Sequence, residues 1–406
     1  MIALRPHQVR ILKKMSSTSK GQIIVPTGGG KTLCMVKDAQ REFNACKWDV
    51  FLKRPDRKTV VVVAPRILLA QQHSDDFLEF LGIHPMLQYK VLHVHSGETH
   101  HESTTYPKWI AEWHHSNYRY NKLIFTTYHS LHRIQESGIN VDTVYFDEAH
   151  NSVQRQFFPT VEFFAGLDDI RCYFFTATPK HSTTIQKPGM NDHEVYGKVL
   201  EQVPAPELVN SGYILPPKVV VKQLDMVRDR KVTAEDDANN LIATIDENNV
   251  DKVLICARRT QQIVNLVSQT DFCSELKGRG YSWMYITSKT GAVINGEKVD
   301  RETFFTILSA WGRDDTKKFV VIHHSILSEG INVPGLEAAL FMRNMNFITI
   351  SQTIGRVIRK GNDDKKFGIV CVPVYDRVGI STAKSVQAVV NTIFEKGEPA
   401  VSVVKR

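Results

Sequence analysis

Cysteine is scarce in this sequence, and the few cysteines are scattered. Six occur among 406 residues, and none belongs to a Cys-x-x-Cys pair. Disulfide-stapled secreted domains and structural zinc sites both depend on closely grouped cysteines. The pattern therefore argues against both and predicts reduced thiols of the kind found in a cytoplasm.

Long apolar runs are missing as well. The sequence opens with MIALRPHQ, which lacks the charged and then apolar segments of a secretory signal. The longest apolar runs, such as Val60–Ala64, fall far short of the roughly 20 residues that span a bilayer. We expect a soluble protein of a bacterial or host cytoplasm, with no membrane partner.

An acidic excess is absent, whereas histidine is abundant. Lysine and arginine number 51 against 43 aspartates and glutamates, which gives a net charge of +8 and permits binding to a polyanion. Several of the 16 histidines cluster, namely His93, His95, His100, His101, His114 and His115. We interpret this cluster as a polar loop. Metal binding is the less favoured alternative, because no acidic or cysteine ligand completes the set.

Short apolar runs alternate with helical patterns through two stretches of the chain. The first stretch predicts helices such as 31–43 and 66–81 between strands at 22–25, 59–64, 123–127, 143–147 and 172–177. The second predicts strands at 252–257, 282–286, 319–323, 338–342 and 368–374. Such alternation is typical of parallel sheets flanked by helices. The sequence thus predicts two α/β domains, 1–204 and 219–406, joined by a proline-rich linker at 205–218.

Three glycines and a lysine follow the first predicted strand. Residues 25–32 read VPTGGGKT, with Val25 in place of the first glycine of the strict phosphate-loop pattern. Glycines let backbone N–H groups turn toward one anion, and the following helix adds its positive end. In this interpretation Lys31 contacts the phosphates of ATP, and the Thr32 hydroxyl ligates Mg²⁺. The alternative is an ordinary glycine-rich turn.

An acidic pair ends the fourth predicted strand, in TVYFDEAH (143–150). Ligands of parallel sheets gather at the carboxyl ends of the strands. Asp147 is therefore predicted to hold Mg²⁺ through water, and Glu148 to orient or deprotonate the attacking water. The alternative for such a pair is a solvated cap.

With VPTGGGKT and DEAH together, the chain resembles a superfamily II helicase of the DEAH type. Six further segments resemble motifs of that family in the family's order: LRPHQ (4–8), APRILLAQQ (64–72), TTYHSL (126–131), TAT (176–178), SEGINVP (328–334) and QTIGRVIR (352–359). The resemblance implies two tandem RecA-like domains with ATP and Mg²⁺ in a cleft between them. The residues of its motifs are most similar to those of DNA-repair, phage recombination and restriction-associated members.

The resemblance also implies a role for each matched position. Catalytic roles fall to Lys31, Asp147, Glu148, Gln352, Arg356 and Arg359. Nucleotide binding falls to Arg5, Gln8, Pro26, Thr27, Gly28, Gly29, Gly30, Lys31, Thr32, Gly330 and Asn332, and metal binding to Thr32 and Asp147. Coupling of hydrolysis to strand binding falls to His150, Thr176 and Thr178. Contacts with the nucleic-acid strand fall to Thr127, Tyr128, Ser130, Ser288 and Thr290.

Two segments outside these motifs carry predictions of their own. PKWIAEWHHSNYRYNK (107–122) mixes aromatic and basic residues. Here the i, i+4 spacing of Trp109 and Trp113 favours a stripe facing the core over a surface that stacks on bases. Residues 289–303 are predicted as a polar loop that could separate strands.

The favoured function is an ATP-driven DNA helicase or translocase, a nucleic-acid-stimulated ATPase with a monomeric core. An RNA helicase or RNA-sensing ATPase is one alternative. A non-motor module that binds ATP as a switch is another, against which Glu148, Arg356 and Arg359 argue. No nuclease motif is recognised after residue 375, so a separate targeting or nuclease partner is possible within this prediction.

Overall fold

The computed structural model describes residues 3–45, 48–49, 54–55, 57–82, 89–97, 99–184, 186–224, 233–257, 259–287, 290–324, 333, 335–342, 347–359, 368–375 and 380–404. Contacts within the chain divide it into two units. The first unit comprises Met1–Pro26, Gly30–Val203 and Val401–Arg406. The second comprises Thr27–Gly29 and Pro204–Ala400.

The described residues up to 210 form ten strands and eight α-helices. The strands are β1 (Lys20–Ile24), β2 (Trp48–Asp49), β3 (Arg54–Pro55), β4 (Thr59–Ala64), β5 (Tyr89–Val94), β6 (Asn121–Thr127), β7 (Thr143–Phe146), β8 (Arg171–Thr176), β9 (Lys180–Ser182) and β10 (Val199–Gln202). The helices are α1 (Pro6–Ser16), α2 (Lys31–Asn44), α3 (Ile67–Leu81), α4 (Pro107–Ser116), α5 (Leu131–Ser137), α6 (Phe158–Ala165), α7 (His193–Tyr196) and α8 (Ala205–Asn210).

Seven of these strands form one parallel sheet in the order β10–β1–β8–β7–β4–β6–β5. The interior strand β4 is buried along its whole length, as expected for a parallel strand covered on both faces. Since the strands are parallel, the loops that follow β1, β4, β6 and β7 all lie at one edge of the sheet. That edge is where the sequence places the phosphate loop and the acidic pair.

From residue 217 onward, the described residues form nine strands and six α-helices. The strands are β11 (Pro217–Leu224), β12 (Lys252–Cys256), β13 (Ser282–Thr287), β14 (Gly291–Ile294), β15 (Glu297–Val299), β16 (Phe319–His323), β17 (Ala338–Phe341), β18 (Gly368–Tyr375) and β19 (Ser402–Val404). The helices are α9 (Thr233–Asn248), α10 (Thr260–Ser268), α11 (Phe272–Gly278), α12 (Arg301–Arg313), α13 (Phe347–Val357) and α14 (Ile380–Val390).

The sheet of the second unit has eight strands in the order β11–β18–β17–β12–β16–β13–β14–β15. Its first six strands pair in parallel, whereas β14 and β15 add an antiparallel edge. Beside the two large sheets, β19 pairs with β9 and β2 pairs with β3. The predicted α/β class of both halves is confirmed.

Two segments have a structure that differs from the one predicted from the sequence. The segment 205–218, predicted as a linker, contains α8 and the start of β11. The prediction of a polar loop at 289–303 is wrong, because β14 and β15 form a hairpin there and α12 begins at Arg301. The hairpin turns at Asn295 and Gly296, whose φ angles of 49° and 94° lie in the left-handed region that Asn-Gly turns adopt.

Within the described part of the chain, every helix falls short of the length and apolarity that a membrane crossing needs.

Candidate nucleotide site

The phosphate loop connects β1 to α2. Gly28 and Gly30 have φ angles of 86° and 79°, which a residue with a Cβ rarely adopts. Gly30 is the residue that precedes α2, and Lys31 and Thr32 lie in its first turn. The loop therefore directs the backbone N–H groups of a helix start toward the edge of the sheet, which is the arrangement that binds phosphate.

Gln8 holds this loop from α1. Its side-chain Nε2 donates a hydrogen bond of 3.1 Å to the Gly30 carbonyl, and its Oε1 accepts one of 2.9 Å from the Arg5 N–H. Only 1% of Gln8 is exposed, and a Cβ at Gly30 would come within 2.4 Å of the Gln8 amide nitrogen. In the structure, Gln8 thus supports the loop that the sequence predicts to bind phosphate. Its predicted contact with adenine stays a prediction.

Asp147 follows β7 and is fixed from several sides. Its N–H donates to the Val63 carbonyl at 2.9 Å, and its Oδ2 lies 2.8 Å from Nε2 of His73 on α3. Its Oδ1 is buried and has no hydrogen-bond partner among the described residues. Burial by itself raises the pKa of this carboxyl, but the hydrogen bond from His73 and the electrostatic interactions with His73 and Lys31 outweigh burial and lower it. Asp147 is therefore a carboxylate with one oxygen available to a ligand.

Glu148 has an unusual backbone for a residue with a side chain. Its φ of 45° and ψ of 51° place it in the left-handed region, just before a 3₁₀ turn at Ala149–Asn151. Such strain is concentrated at functional sites in proteins. Its Oε2 is buried without a hydrogen-bond partner in the described part of the chain and lies 3.5 Å from His150 Nδ1. The acidic pair is thus a strained, partly enclosed feature and not a solvated cap.

The three residues predicted to couple hydrolysis to strand binding lie together. Nδ1 of His150 is 3.1 Å from the Thr176 hydroxyl and 3.3 Å from the Thr178 hydroxyl. The Thr178 N–H also donates to the Thr176 hydroxyl at 3.0 Å. The DEAH and TAT segments therefore share one hydrogen-bonded cluster at the carboxyl edge of the first sheet.

The strand-contact residues of the first unit are less accessible than predicted. Tyr128 is only 3% exposed, and its hydroxyl donates to the Asp147 carbonyl at 2.9 Å. The predicted contact of Tyr128 with a nucleic-acid strand stays a prediction, and in the structure its hydroxyl supports the Asp147 backbone. The Thr127 side chain is also buried, at 4% exposed, whereas Ser130 is half-buried.

Fewer of the predicted residues of the second unit can be placed. Gln352 and Arg356 lie on α13 and Arg359 follows it, with Arg356 only 4% exposed. Burial and, to a smaller extent, the positive charge of Arg356 lower the pKa of His323 to about 3, so Arg356 lies near the end of β16. The Thr290 hydroxyl contacts that of Thr287 at 2.6 Å. The predicted positions Ser288, Gly330 and Asn332 lie outside the described residues.

The clustered histidines do not form a polar loop. His93 and His95 are 0% and 3% exposed at the end of β5, and Nδ1 of His93 lies 3.0 Å from Nε2 of His95. Nε2 of His93 lies 3.1 Å from the Ser74 hydroxyl on α3. Among the described residues, no group of three or more histidine, cysteine or acidic side chains has a metal-binding arrangement.

The predicted tryptophan stripe is half correct. Trp113 packs in the core of the first unit at 6% exposed, and its Nε1 donates to Glu102. Trp109 is 44% exposed, so the prediction that it faces the core is wrong. Both tryptophans lie on the short helix α4. The buried residues of this helix are Ile110 and Trp113, so Trp109 lies on its exposed side.

Two contacts with Asp147, those of His73 and Tyr128, were not predicted from the sequence. His73 lies one position after the APRILLAQQ segment, and Tyr128 was predicted for a contact with a nucleic-acid strand. Nothing in the local pattern marks His73, since a histidine within an amphipathic helix is an ordinary feature. Both contacts with Asp147 depend on which strands are neighbours in the sheet.

The fold is that of two tandem RecA-like domains. In the type ISP restriction-modification enzyme LlaBIII bound to DNA, the match covers 99% of this chain and 31% of that one, with a TM-score of 0.72 and 16% identity. Mss116p bound to ssRNA and AMP-PNP matches with a TM-score of 0.65, 16% identity and coverage of 100% and 75%. A fragment of an HsdR subunit of a type I restriction enzyme from Vibrio vulnificus YJ016 matches with a TM-score of 0.61, 13% identity and coverage of 98% and 67%.

Residues 1–181 match the family described as type III restriction enzyme, res subunit. This match over residues 1–181 and the fold of the whole chain support the resemblance to a superfamily II helicase core. A search of curated proteins found no match. The chain spans 31% and 30% of the length of the two type ISP restriction enzymes that it matches.

Proposed function

We propose that this chain is an ATP-dependent DNA motor, a helicase or translocase that couples ATP hydrolysis to movement along a nucleic-acid strand. The observation that carries the proposal is the pair of buried carboxylate oxygens, Asp147 Oδ1 and Glu148 Oε2, left without hydrogen-bond partners among the described residues. They lie at the edge of the sheet from which the phosphate loop emerges. Buried acceptors of this kind are costly unless a ligand satisfies them.

The donor set fits ATP with magnesium. Mg²⁺ prefers oxygen ligands and keeps several waters, and a carboxylate plus a hydroxyl is its usual protein complement. Asp147 and Thr32 would hold the ion, which would neutralise charge on the phosphates. Lys31 begins α2, and its charge lowers the pKa of Asp147. This proximity to Asp147 supports the proposed contact of Lys31 with phosphate oxygens. Glu148 would orient or deprotonate the attacking water.

The remaining roles belong to the same proposal. Gln352, Arg356 and Arg359 are assigned to the nucleotide, with the two guanidinium groups meeting the charge that develops on the γ-phosphate. His150, Thr176 and Thr178 are assigned to the coupling of hydrolysis to strand binding. Their shared hydrogen bonds support this assignment, because a change at Glu148 reaches the TAT segment through one imidazole.

DNA is the proposed substrate, since the family match concerns a restriction enzyme subunit and one neighbour is described as bound to DNA. The second candidate is an RNA helicase or RNA-sensing ATPase, which the likeness to Mss116p bound to ssRNA favours. A separate nuclease or targeting partner remains part of the proposal.

ATP hydrolysis measured side by side with single-stranded DNA, duplex DNA, branched DNA and RNA tests the proposal. We expect DNA to accelerate turnover at least about 10-fold, and Lys31→Ala and Glu148→Gln to abolish it. Lys37→Ala is the matched control, because Lys37 lies on the same helix and its Nζ contacts Gln40 at 2.8 Å. Stronger stimulation by RNA would favour the second candidate. Turnover indifferent to any nucleic acid would indicate a non-motor ATP-binding module.

A further inference from the structure

The carboxylate of Asp147 contacts a histidine on α3, a helix that packs beside the sheet. His73 lies in the second turn of α3, which follows β4, and Asp147 lies at the end of β7, the neighbour of β4. Nε2 of His73 is 2.8 Å from Oδ2 of Asp147. The two residues are 2% and 5% exposed. This is a short contact between polar groups inside the protein, shielded from water that could replace it.

The contact leaves the two carboxylate oxygens in different states. Oδ2 faces the His73 ring, whereas Oδ1 is buried with no hydrogen-bond partner in the described part of the chain. A carboxylate on a short side chain otherwise turns about its last bond, since that torsion has a broad energy profile. A hydrogen bond to one oxygen therefore fixes the direction in which the other one points.

Among the described residues, the His73 ring has no hydrogen-bond partner other than Asp147. Its Nδ1 is buried and lacks a hydrogen-bond partner among the described residues. Burying an imidazole with one nitrogen unsatisfied is less favourable than burying a leucine of similar volume. The structure thus keeps a polar ring inside for a single polar contact, the one with Asp147.

The backbone around this pair is also fixed. The Tyr128 hydroxyl donates to the Asp147 carbonyl at 2.9 Å, and the Asp147 N–H donates to the Val63 carbonyl at 2.9 Å. On α3, the residue after His73 is Ser74, whose hydroxyl lies 3.1 Å from Nε2 of His93. Because both elements are anchored, the distance between His73 and Asp147 is set by the fold.

We propose that His73 is the positioning residue for the metal-binding carboxylate, and that it turns Asp147 so that Oδ1 faces the magnesium of a bound nucleotide. The inference rests on the proposed function, because it presumes that the site binds a magnesium nucleotide. Residues that orient metal ligands in this way are typically worth 10- to 100-fold in metal affinity or activity. His73 acts through Asp147 and touches neither nucleotide nor metal.

Two amide substitutions separate positioning from packing. In His73→Gln the amide nitrogen takes the place of Nε2, so the donor to Asp147 is kept. In His73→Asn the amide nitrogen takes the place of Nδ1, so the donor is lost although the group is chemically the same. His114→Asn is the matched control, because Nε2 of His114 contacts the Thr59 hydroxyl at 2.9 Å, at the start of β4 and not at its end.

Binding of a fluorescent ADP derivative is measured for the full chain and the three variants, in EDTA and across a MgCl₂ titration. We expect His73→Asn to raise the Mg²⁺ concentration at half-maximal enhancement of binding by about 10-fold, and His73→Gln to stay within about 2-fold of the wild type. Affinity in EDTA should be the same for all four proteins within about 2-fold, and His114→Asn should leave the Mg²⁺ requirement unchanged.

The inference is overturned if His73→Asn has the Mg²⁺ requirement of the wild type, or if His73→Gln and His73→Asn are equally defective. A wild-type chain that binds no nucleotide at any Mg²⁺ concentration overturns the proposed function and the inference with it. Should His73→Asn fail to fold, ¹⁵N-histidine NMR of the wild type decides, with His73→Gln identifying the His73 signal. We expect that signal to move with magnesium nucleotide and not with nucleotide in EDTA, and a signal that does not move contradicts the inference.

Discussion

The Nδ1 atom of His150 lies 3.1 Å from the hydroxyl of Thr176, which joins the DEAH segment to the TAT segment. A second hydroxyl, that of Thr178, lies 3.3 Å from the same nitrogen. One ring nitrogen therefore serves two threonines. We expect a change in the backbone of Glu148, two residues before His150, to reach the end of β8 through this imidazole.

Removing the threonine hydroxyls should uncouple hydrolysis from nucleic acid. In Thr176→Val/Thr178→Val the volume is kept but His150 loses both contacts. We expect basal ATP hydrolysis to stay within about 3-fold while stimulation by DNA falls at least about 10-fold, as measured by steady-state turnover. Thr143→Val is the control, because the Thr143 hydroxyl on β7 is buried without a hydrogen-bond partner in the described residues. Equal loss of basal and stimulated turnover would contradict this coupling role.

The left-handed backbone of Glu148 should be visible as stored strain. Glycine adopts this region without penalty, whereas alanine does not, and the difference is about 1 kcal/mol. We expect Glu148→Gly to be more stable than Glu148→Ala by about 1 kcal/mol in urea unfolding, while both variants lose ATP hydrolysis. Equal stabilities would show that the backbone at this position relaxes when the carboxylate is removed.

The buried ion pair between Asp38 and Arg171 should contribute far more to the free energy of unfolding than a surface ion pair. Asp38 is 0% exposed and accepts hydrogen bonds from Arg171 at 3.1 Å and from the Tyr145 hydroxyl at 2.6 Å. We expect Arg171→Met to lower the free energy of unfolding by about 3 kcal/mol, because it weakens the compensation of a buried charge. The surface pair Arg133–Glu136 is the control, and Glu136→Ala should cost less than about 0.5 kcal/mol.

Acid should destabilise the first unit through His93. Burial lowers the pKa of His93 to about 3, with smaller contributions from His95 and His101, against an ordinary value of 6.5. Because the folded state binds fewer protons, the stability from this group is complete above pH 6.5 and falls as pH decreases toward 3. We expect a slope of up to about 1.4 kcal/mol per pH unit from this one group in urea unfolding between pH 6 and 4. His93→Leu should reduce that slope, whereas His115→Leu at an exposed position should not, and identical slopes would exclude His93 as the cause.

The sequence predicted best those elements that local pattern determines. The run Thr59–Ala64 is a wholly buried parallel strand, and such strands read as continuous β-branched residues. The turn at Gly28 and Gly30 and the start of a helix at Lys31 agree with the prediction, since the turn needs glycine whatever the rest of the fold does. The hairpin at β14 and β15 also had a local signal in Asn295-Gly296, which the prediction of a polar loop overlooked.

Contacts that depend on the order of the strands in the sheet could not be predicted from the sequence. His73 meets Asp147 because β4 and β7 are neighbours, although 74 positions separate the two residues. Tyr128 was predicted as a contact of a nucleic-acid strand, whereas its hydrogen bond to the Asp147 carbonyl was not predicted. Trp109 and Trp113 share the spacing of a core stripe, yet only Trp113 is covered, because a short helix at the side of a sheet buries a narrow face.

Movement along DNA is the central claim, and displacement of a triplex-forming oligonucleotide from duplex DNA, together with unwinding of a forked duplex, measures it most directly. We predict displacement or unwinding that requires ATP and Mg²⁺, occurs with the wild type and Lys37→Ala, and is absent in Lys31→Ala and Glu148→Gln. ATP hydrolysis at the same rate with and without DNA, accompanied by neither displacement nor unwinding, would contradict the account.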